Sequence, residues 1–352
     1  MKAIVTKGDK TISIKDVAVP TVGPNDILVK VIAVGVNPTD WKKLVSVQSA
    51  GITEELVCGC DYAGIVEEVG KDVPASLRKV GERVAGYLHG GVSKTFGGSF
   101  AEYCLADPYL AVSLPESVSF EGGATLGISG FTAYQALFQK HPDATPWKPL
   151  GEPKQILIWG GASVLGIYAI QLAKIAGYEV IATASAKNFD LLKSLGAAHV
   201  FDYRDKDIVE KIRSVTKNEL AFAFDTISEA HTIVPVIHSV GQKGGVVSIV
   251  RAVGDANNLR SDVQLDFYLV YMLLGKPFDL PVRKEATPGF HDDGKLYAEN
   301  LSKLLTEKKL VTSPTKILPN GLDSIQEALD LLENGQVSAG KLVVKIADTP
   351  GL

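Results

Sequence analysis

The sequence of 352 residues has few cysteines, no long hydrophobic run and no excess of basic residues. Its three cysteines, Cys58, Cys60 and Cys104, are too few and odd in number for a disulfide framework, which predicts a reducing, cytoplasmic location. No apolar run approaches the roughly 20 residues that cross a bilayer, and the opening residues MKAIVTKGDKTISIKD lack a signal-peptide core. The net charge of −4, without a basic stripe, argues against nucleic acid as the main partner.

The length and the 46% content of hydrophobic residues are sufficient for two domains. The first 125 residues contain short, β-branched runs separated by Gly, Pro and Asp, which predicts a compact β-barrel-like domain. These runs cover residues 27–34, 63–69, 83–87 and 99–105. A last β-like run at 340–346 is expected to return to this first domain.

Residues 156–177 have a different pattern: a short apolar run, a glycine-rich turn and an amphipathic helix. Gly161 and Gly166 take the first and third places of a G-x-G-x-x-G fingerprint, and Ser163 takes the middle place. This pattern is typical of a nucleotide-binding strand–turn–helix, although glycine-rich turns also join strands and helices for packing reasons alone.

A β-like run at 179–185, a helix at 186–195 and further β-like runs at 200–203, 220–226 and 245–250 follow. This alternation predicts a doubly wound parallel sheet and an α/β fold class. An NAD site usually places Asp or Glu at the end of the second strand, where this chain has Thr183, Ala184, Ser185 and Lys187. Small polar residues with a nearby cation favour NADPH, unless Lys187 is merely a solvated lysine at a helix start.

Six ordered motifs carry a resemblance to a known family: Gly35–Lys42, Gly59–Gly70, Val80–Val84, Gly98–Tyr103, Gly130–Tyr134 and Gly160–Gly166. Together they resemble the medium-chain dehydrogenases/reductases over essentially the whole chain. The resemblance implies a GroES-like β-rich catalytic domain over residues 1–125 and 300–352. It also implies a Rossmann NADPH-binding domain over residues 126–299.

Zinc-dependent members of that family carry a Cys early in the first motif and a His-Glu pair in the second. This chain has Asn37-Pro38 and Cys60-Asp61 there, and no cysteine between 87 and 98 for a structural zinc lobe. Cys58-x-Cys60 is too crowded for a metal site, with His89 as the only nearby histidine. We therefore expect no metal.

Within the zinc-free branch, the chain resembles quinone oxidoreductase-like proteins and, most of all, fungal trans-acting enoyl reductases that serve polyketide synthases. Pro38-x-Asp40-x-Lys42, the Gly-Gly-Ala-Ser turn and an aromatic-rich insert at 260–278 carry this resemblance. The insert is expected to line an elongated substrate pocket, to seal a subunit interface, or to form an ordinary buried helix.

The resemblance also implies catalytic residues. It places Thr132 beside a nicotinamide and Lys42 where it orients the substrate or binds the ribose, with Tyr62 as a lining residue or proton donor. Each has a structural alternative: a buried helix hydroxyl for Thr132, a surface cation for Lys42 and a core ring for Tyr62.

The predicted cofactor contacts lie in the glycine turn, at strand ends and on the returning strand. Tyr203 resembles a tyrosine that packs near the 2′-phosphate in quinone reductase-like relatives. Ile249 and Val250 are expected to border the carboxamide of the nicotinamide. The full set is Asn37, Gly160, Gly161, Ser163, Val164, Leu165, Gly166, Ser185, Lys187, Tyr203, Thr226, Ile249 and Lys341.

These observations predict an NADPH-dependent, zinc-independent reductase of the C=C bond of α,β-unsaturated carbonyl compounds, by hydride transfer to the β-carbon. The alternatives are an NADPH-dependent quinone or aldehyde reductase and a non-catalytic NADPH-binding redox sensor. Expected partners are a small conjugated carbonyl substrate, either free or as an acyl chain on a carrier protein. We expect neither nucleic acid nor a membrane as a partner. The expected oligomeric state is a monomer or a homodimer.

Overall fold

The computed structural model describes residues 1–279 and 283–352, which form two compact units. The first unit comprises Met1–Phe131 and Tyr271–Leu352, and the second comprises Thr132–Val270. The boundaries predicted from the sequence lie near 126 and 300. In the structure, residues 271–299 instead group with the first unit. As boundaries of functional domains, the predicted ranges stay a prediction.

The first unit is mainly antiparallel. Its N-terminal part contains β1 (Lys2–Thr6), β2 (Ile12–Asp16), β3 (Ile27–Val36), α1 (Pro38–Ser49), β4 (Asp61–Val69), β5 (Arg83–Tyr87), β6 (Tyr103–Ala106), β7 (Val112–Ser113), α2 (Phe120–Gly123) and α3 (Gly127–Phe138). The boundary between the two units falls within α3. The long strand β3 is central because it pairs with both β4 and β6, and its side chains are almost continuously buried.

Helix α1 begins at the first family-like motif, and the motif residues explain why it begins there. Asn37 has extended backbone angles at the N-cap, and Pro38 takes the first helical position, where its missing N–H is not needed. The Asn37 amide donates to Asp40 Oδ2 at 2.7 Å, which is one half of a capping box. The spacing Pro38-x-Asp40 is therefore a helix-start signal that places Thr39 and Lys42 on the first turns.

The second unit alternates strands and helices. Its elements are β8 (Gln155–Trp159), α4 (Val164–Ile175), β9 (Glu179–Ala184), α5 (Phe189–Ser194), β10 (Ala197–Asp202), α6 (Ile208–Val215), β11 (Phe222–Asp225), α7 (Ala230–Ser239), β12 (Gly245–Ile249) and β13 (Val263–Phe267). The strand order is β10-β9-β8-β11-β12-β13, with all pairs parallel. This is the 3-2-1-4-5-6 order of a Rossmann fold, which confirms the predicted doubly wound sheet.

The turn after β8 depends on glycine. Gly160 has a φ of +76°, and a Cβ there would lie 2.7 Å from Thr226 Oγ1. A Cβ on Gly166 would lie 2.5 Å from the Gly160 carbonyl oxygen, so the helix packs closely on the strand end. These contacts give a steric reason for glycine at Gly160 and at the fingerprint position Gly166.

The insert is not an ordinary buried helix, so that alternative was wrong. Residues 263–267 form β13, the edge strand of the sheet in the second unit, and residues 270–274 form a 3₁₀ turn. The predicted helix at 186–195 is likewise split, with a 3₁₀ turn at Ala186–Asn188 before α5.

The chain then completes the first unit with α8 (Phe290–Thr306), β14 (Thr315–Leu318), α9 (Ile325–Glu333) and β15 (Lys341–Lys345). Strand β15 pairs antiparallel with β3, Leu342 opposite Val36. This confirms that the last strand returns to the first domain. Within the described residues, no helix combines the length and apolarity needed to cross a membrane.

Candidate functional site

The glycine turn of the second unit is locked to the neighbouring strand end by hydroxyl groups. Thr226, directly after β11, donates to the Trp159 carbonyl at 2.8 Å, and its oxygen lies 2.9 Å from Ser163 Oγ. Strands β8 and β11 are neighbours at the point where the strand order reverses, which is where doubly wound sheets bind ligands. Two predicted cofactor residues, Ser163 and Thr226, are thus brought together here.

Helix α4 begins at this turn and leaves two backbone donors available for an anion. Ser163 caps the helix by accepting from the Gly166 amide at 2.9 Å, and its carbonyl accepts from Ile167. The amides of Val164 and Leu165 are first-turn groups that have no partner within a helix. Together with the helix dipole, they fit the pyrophosphate of a dinucleotide.

The end of the second strand carries the residues that suggested NADPH, and the structure separates their roles. Thr183 is fully buried, with its hydroxyl accepting from the Gly160 amide at 3.1 Å and its carbonyl accepting from Gly161 at 2.8 Å. It therefore holds the glycine turn. Lys187 is exposed and makes no ion pair with any described residue, so its ammonium is available to a ligand.

The adjacent strand end contributes a charge pair that sequence analysis missed. Arg204 donates two hydrogen bonds to the Asp202 carboxylate, from Nε to Oδ1 at 2.9 Å and from Nη2 to Oδ2 at 2.5 Å. Hydrogen bonds from Arg204 lower the pKa of Asp202 to about 2, so this carboxylate is charged but neutralised by its partner. Asp202 pairs in register with Ala184, and Tyr203 between the pair members is 47% exposed. The signal in the sequence that could have indicated this charge pair is the triplet Asp202-Tyr203-Arg204.

The predicted role of Ile249 and Val250 rested on exposed backbone groups at the sheet edge, and two of these groups have partners within the second unit. The Ile249 carbonyl accepts from the Tyr268 amide at 2.9 Å, and the Val250 amide donates to Ser228 Oγ at 3.0 Å. Ser228 has a φ of +55° and also donates to the Asp225 carbonyl. These bonds rigidify the carboxyl edge of β11 and β12 instead of leaving it open.

In the first unit, two residues predicted to contact the cofactor form a buried polar cluster. Lys341 on β15 donates to Asp61 Oδ2 on β4 at 2.8 Å and to Asn37 Oδ1 at the start of α1. Asp61 is fully buried and Lys341 is 3% exposed. Asp61 also accepts from the Ile128 amide at 2.7 Å. The pairing of strands far apart in sequence brings these groups together.

The three predicted catalytic residues have different environments. Lys42 is half-buried on α1, with its ammonium 5.4 Å from the Trp41 ring centre, and Thr132 is 6% exposed on α3. Tyr62 is 1% exposed inside the barrel core, where burial raises its pKa well above 10. A Cβ on Gly86 would lie 2.6 Å from the Tyr62 hydroxyl, so this ring fills the core.

A second polar cluster in the first unit was not predicted at all. Lys43 donates to Cys60 Sγ at 3.0 Å and to the Gly90 carbonyl at 3.2 Å. Its ammonium also lies 4.4 Å from the ring centre of Tyr271, which stacks on His89 at 3.8 Å. Burial lowers the pKa of His89, which is therefore neutral. Tyr271 belongs to the aromatic-rich insert at 260–278.

The positions of the zinc ligands in zinc-dependent relatives are thus occupied by residues with other partners. Asn37 accepts from Lys341, and Cys60 accepts from Lys43. In the described part of the chain, no three His, Cys, Asp or Glu side chains are grouped as metal ligands would be.

Comparisons with known proteins match this arrangement. The family models for the alcohol dehydrogenase GroES-like domain and the zinc-binding dehydrogenase match residues 23–116 and 164–265. The chain is 40% identical over 349 residues to the trans-enoyl reductase ACTTS2 of Alternaria alternata, and 98% of each chain is covered. It belongs to the zinc-independent, enoyl and quinone reductase-like medium-chain dehydrogenases/reductases.

Solved structures agree on the fold. The crystal structure of CurK enoyl reductase has a TM-score of 0.79 at 22% identity, with 98% of both chains covered. The quinone oxidoreductase from Coxiella burnetii has a TM-score of 0.72 at 27% identity, covering 98% of this chain and 99% of that one.

As a member of this family the chain is an oxidoreductase that uses a nicotinamide cofactor, which disfavours the non-catalytic sensor. The glycine turn and the free amides at the start of α4 fit that cofactor's pyrophosphate.

The buried ion pair yields a prediction about stability. Lys341→Ala should lower the free energy of unfolding of the first unit by about 3–5 kcal/mol, because it leaves Asp61 charged, buried and unpaired. Urea unfolding followed by circular dichroism measures this loss. The matched control is Lys345→Ala on the same strand, where the side chain is 39% exposed and pairs with Asp348 at 3.2 Å. Its cost should stay below about 1 kcal/mol, and equal losses in the two variants would contradict the argument.

Proposed function

We propose that the protein is an NADPH-dependent reductase of the C=C bond of α,β-unsaturated carbonyl compounds. The observation that carries the proposal is the match over 98% of the chain, at 40% identity, to a protein named a trans-enoyl reductase. The contacts of Asn37 and Cys60 support it, because each of these residues, at a zinc-ligand position of the family, accepts a hydrogen bond from a lysine ammonium.

When bound, the reduced nicotinamide supplies a hydride. The residues proposed to hold the cofactor are those of the glycine turn and helix start, with Gly160, Gly161 and Gly166 allowing close approach. Val164 and Leu165 donate backbone N–H groups to the pyrophosphate, while Ser163 and Thr226 fix the turn. Ile249 keeps its proposed place at the sheet edge, now through its side chain.

The proposed subsite for the 2′-phosphate consists of Ser185, Lys187 and Tyr203, extended by Arg204. Lys187 offers a free ammonium, and the Arg204 guanidinium offsets the charge of Asp202, which would otherwise repel a phosphate. Asn188 Nδ2 donates to Ser185 Oγ at 3.2 Å and orients that hydroxyl.

In the reaction, hydride addition to the β-carbon moves charge onto the carbonyl oxygen as an enolate. We propose that Thr132 positions the nicotinamide and that Lys42 orients the substrate or stabilises the developing charge. Asn37 and Lys341 act together, because the Lys341 ammonium holds the Asn37 side chain at the start of α1. Tyr62 is left out as a proton donor because its hydroxyl lies in the core.

The preference for reducing the C=C bond over the carbonyl follows from the groups available to stabilise negative charge. Reduction of an isolated carbonyl leaves a localised alkoxide, which zinc-dependent relatives stabilise with the metal. An enolate spreads its charge over the conjugated system and requires only hydrogen-bond donors. Quinones have the same conjugation, and the likeness to the Coxiella burnetii quinone oxidoreductase favours quinone reduction as the second candidate, ahead of aldehyde reduction.

The proposed partner is a small conjugated carbonyl compound, with a carrier-protein-bound enoyl chain as one form of it. We also propose a cytoplasmic location, since all three cysteines are free thiols and buried. The proposed assembly is a monomer or a homodimer.

Cofactor choice gives a direct test of the phosphate subsite. The unmodified protein should bind NADPH at least about tenfold more tightly than NADH, and Lys187→Glu should remove most of this preference. Fluorescence titration with each dinucleotide measures both constants. Lys193→Glu, the same charge change on an exposed residue of α5, is the matched control and should leave the preference intact. Equal affinities in the unmodified protein would sink the proposal.

Metal independence is a second expected outcome. Activity should survive prolonged treatment with a strong chelator, and elemental analysis should find no stoichiometric zinc, because Asn37 and Cys60 already have ammonium partners. A zinc-dependent alcohol dehydrogenase treated in parallel should lose activity. One tightly held zinc per chain, lost together with activity, would overturn this reading.

The reaction itself is tested by following the hydride. With an enoyl thioester and NADPH deuterated at C4, NMR should find deuterium at the β-carbon of the product while the carbonyl is retained. Thr132→Ala should lower kcat by about tenfold or more if the hydroxyl positions the nicotinamide, while Thr132→Ser should retain most activity. Deuterium on the carbonyl carbon, giving an allylic alcohol, would identify a carbonyl reductase instead.

A further inference from the structure

Four polar side chains of the first unit form one continuous hydrogen-bonded chain that the proposed mechanism does not use. Lys43 Nζ lies 3.0 Å from Cys60 Sγ, and Cys60 Sγ lies 3.4 Å from Tyr271 Oη. Tyr271 Oη lies 3.1 Å from Thr39 Oγ1. Thr39 and Lys43 lie on α1, Cys60 directly precedes β4, and Tyr271 lies in the 3₁₀ turn of the insert.

Burial and aromatic packing fix this chain of groups. Lys43, Cys60 and Tyr271 are at most 8% exposed, while Thr39 is only partly buried. The ring of Tyr271 is held between His89, stacked at 3.8 Å, and the ammonium of Lys43 at 4.4 Å. The chain of groups therefore has its most exposed member, Thr39, at one end and Lys43, 8% exposed, at the other.

Only the first hydrogen bond of the chain has a direction fixed by its groups. An ammonium only donates, so Cys60 Sγ accepts from Lys43. The thiol has two neighbouring acceptors, Tyr271 Oη and the Asp40 carboxyl. A relay towards Thr39 requires the thiol to donate to Tyr271 Oη, the phenol to Thr39 Oγ1 and the Thr39 hydroxyl outward. Burial raises the pKa of Cys60 to about 12 and that of Tyr271 well above 10, so both keep their protons and serve as donors.

The accessible end lies beside a residue already assigned to the substrate. Thr39 is on the first turn of α1, and Lys42 follows three residues later, which places both on neighbouring positions of one helix face. The buried carboxyl of Asp40, on the same turn, accepts from the Asn37 amide at 2.7 Å and also interacts with Lys43 and Cys60.

We propose that this chain, Lys43–Cys60–Tyr271–Thr39, delivers the proton to the α-carbon of the reduced substrate. The inference rests on the proposed function, in which hydride brings both electrons to the β-carbon and leaves an enolate. The C–H bond at the α-carbon forms with the Thr39 hydroxyl proton, and the O–H bond of Thr39 breaks. Thr39 takes its replacement from Tyr271, Tyr271 from Cys60 and Cys60 from Lys43. The Lys43 amine regains a proton from water before the next turnover, so one proton is consumed per product.

The experiment follows the stereochemistry of protonation. The probe is the N-acetylcysteamine thioester of 2-methylbut-2-enoic acid, reduced with NADPH in deuterated water. The two α-deuterated products are enantiomers, so the product acid is converted to its amide with a single enantiomer of a chiral amine, and NMR of the diastereomeric amides reports which face of the α-carbon received deuterium. The unmodified protein should deuterate one face. Tyr271→Phe keeps the ring on His89 but removes the hydroxyl, and it should lower kcat by about tenfold or more and give deuterium on both faces.

Conservative pairs separate proton delivery from packing. Thr39→Val and Cys60→Ala should behave like Tyr271→Phe, whereas Thr39→Ser and Cys60→Ser retain a proton-bearing group and should restore the single face. Tyr87→Phe is the matched control, because Tyr87 is a buried ring 6.4 Å from Tyr271 and outside the chain of groups. It should keep the single face and a kcat within about twofold.

The outcomes distinguish this inference from the function on which it rests. Retention of one face and of kcat in both Tyr271→Phe and Thr39→Val would overturn the proton route while the C=C reduction stands. Failure of the unmodified protein to reduce any conjugated carbonyl would instead overturn the proposed function. Cofactor affinity, measured by fluorescence titration, should be unchanged in Tyr271→Phe, and a large loss would indicate a structural role that contradicts the proposal.

Discussion

The arrangement of the first unit depends on the antiparallel pairing of β15 with β3. This pairing brings Lys341 from the end of the chain to Asp61 and Asn37, which lie about 300 residues earlier. A buried carboxylate without a partner costs several kcal/mol, so the ammonium is required wherever Asp61 is buried. The first unit therefore needs its last strand in place to pair the buried Asp61 carboxylate.

This constraint also shapes the chemistry that the unit can perform. By the family resemblance, Asn37 and Cys60 stand at motif positions where zinc-dependent members carry metal ligands. Here each accepts a hydrogen bond from a lysine ammonium, so positive charge is supplied by side chains that belong to the fold. Side-chain ammonium groups donate protons as well as hydrogen bonds, which a metal ion does not. Asn37 and Cys60 thus stand in place of metal ligands, and the same two positions bring lysine ammonium groups into the unit.

The predictions that succeeded rested on local patterns. The glycine turn and the parallel strands are read from spacing within a few residues. The same spacing did not show that Thr183 holds Gly160, or that Val250 donates to Ser228, because those bonds join separate segments. The insert did carry a local signal that was not used. Residues 263–267, VQLDF, alternate apolar and polar side chains, which predicts a strand and not a helix.

The residues at the start of α1 show how local and distant constraints combine. Pro38 has no amide to satisfy, Asp40 accepts the Asn37 amide, and the Asn37 oxygen accepts from Lys341. These bonds commit the polar side chains around the helix start to the fold, which leaves the Thr39 hydroxyl facing Tyr271. Sequence analysis identified Asn37 and Lys42 in this motif by resemblance. It passed over Thr39 because the partner that gives its hydroxyl a direction lies in the insert, 232 residues away.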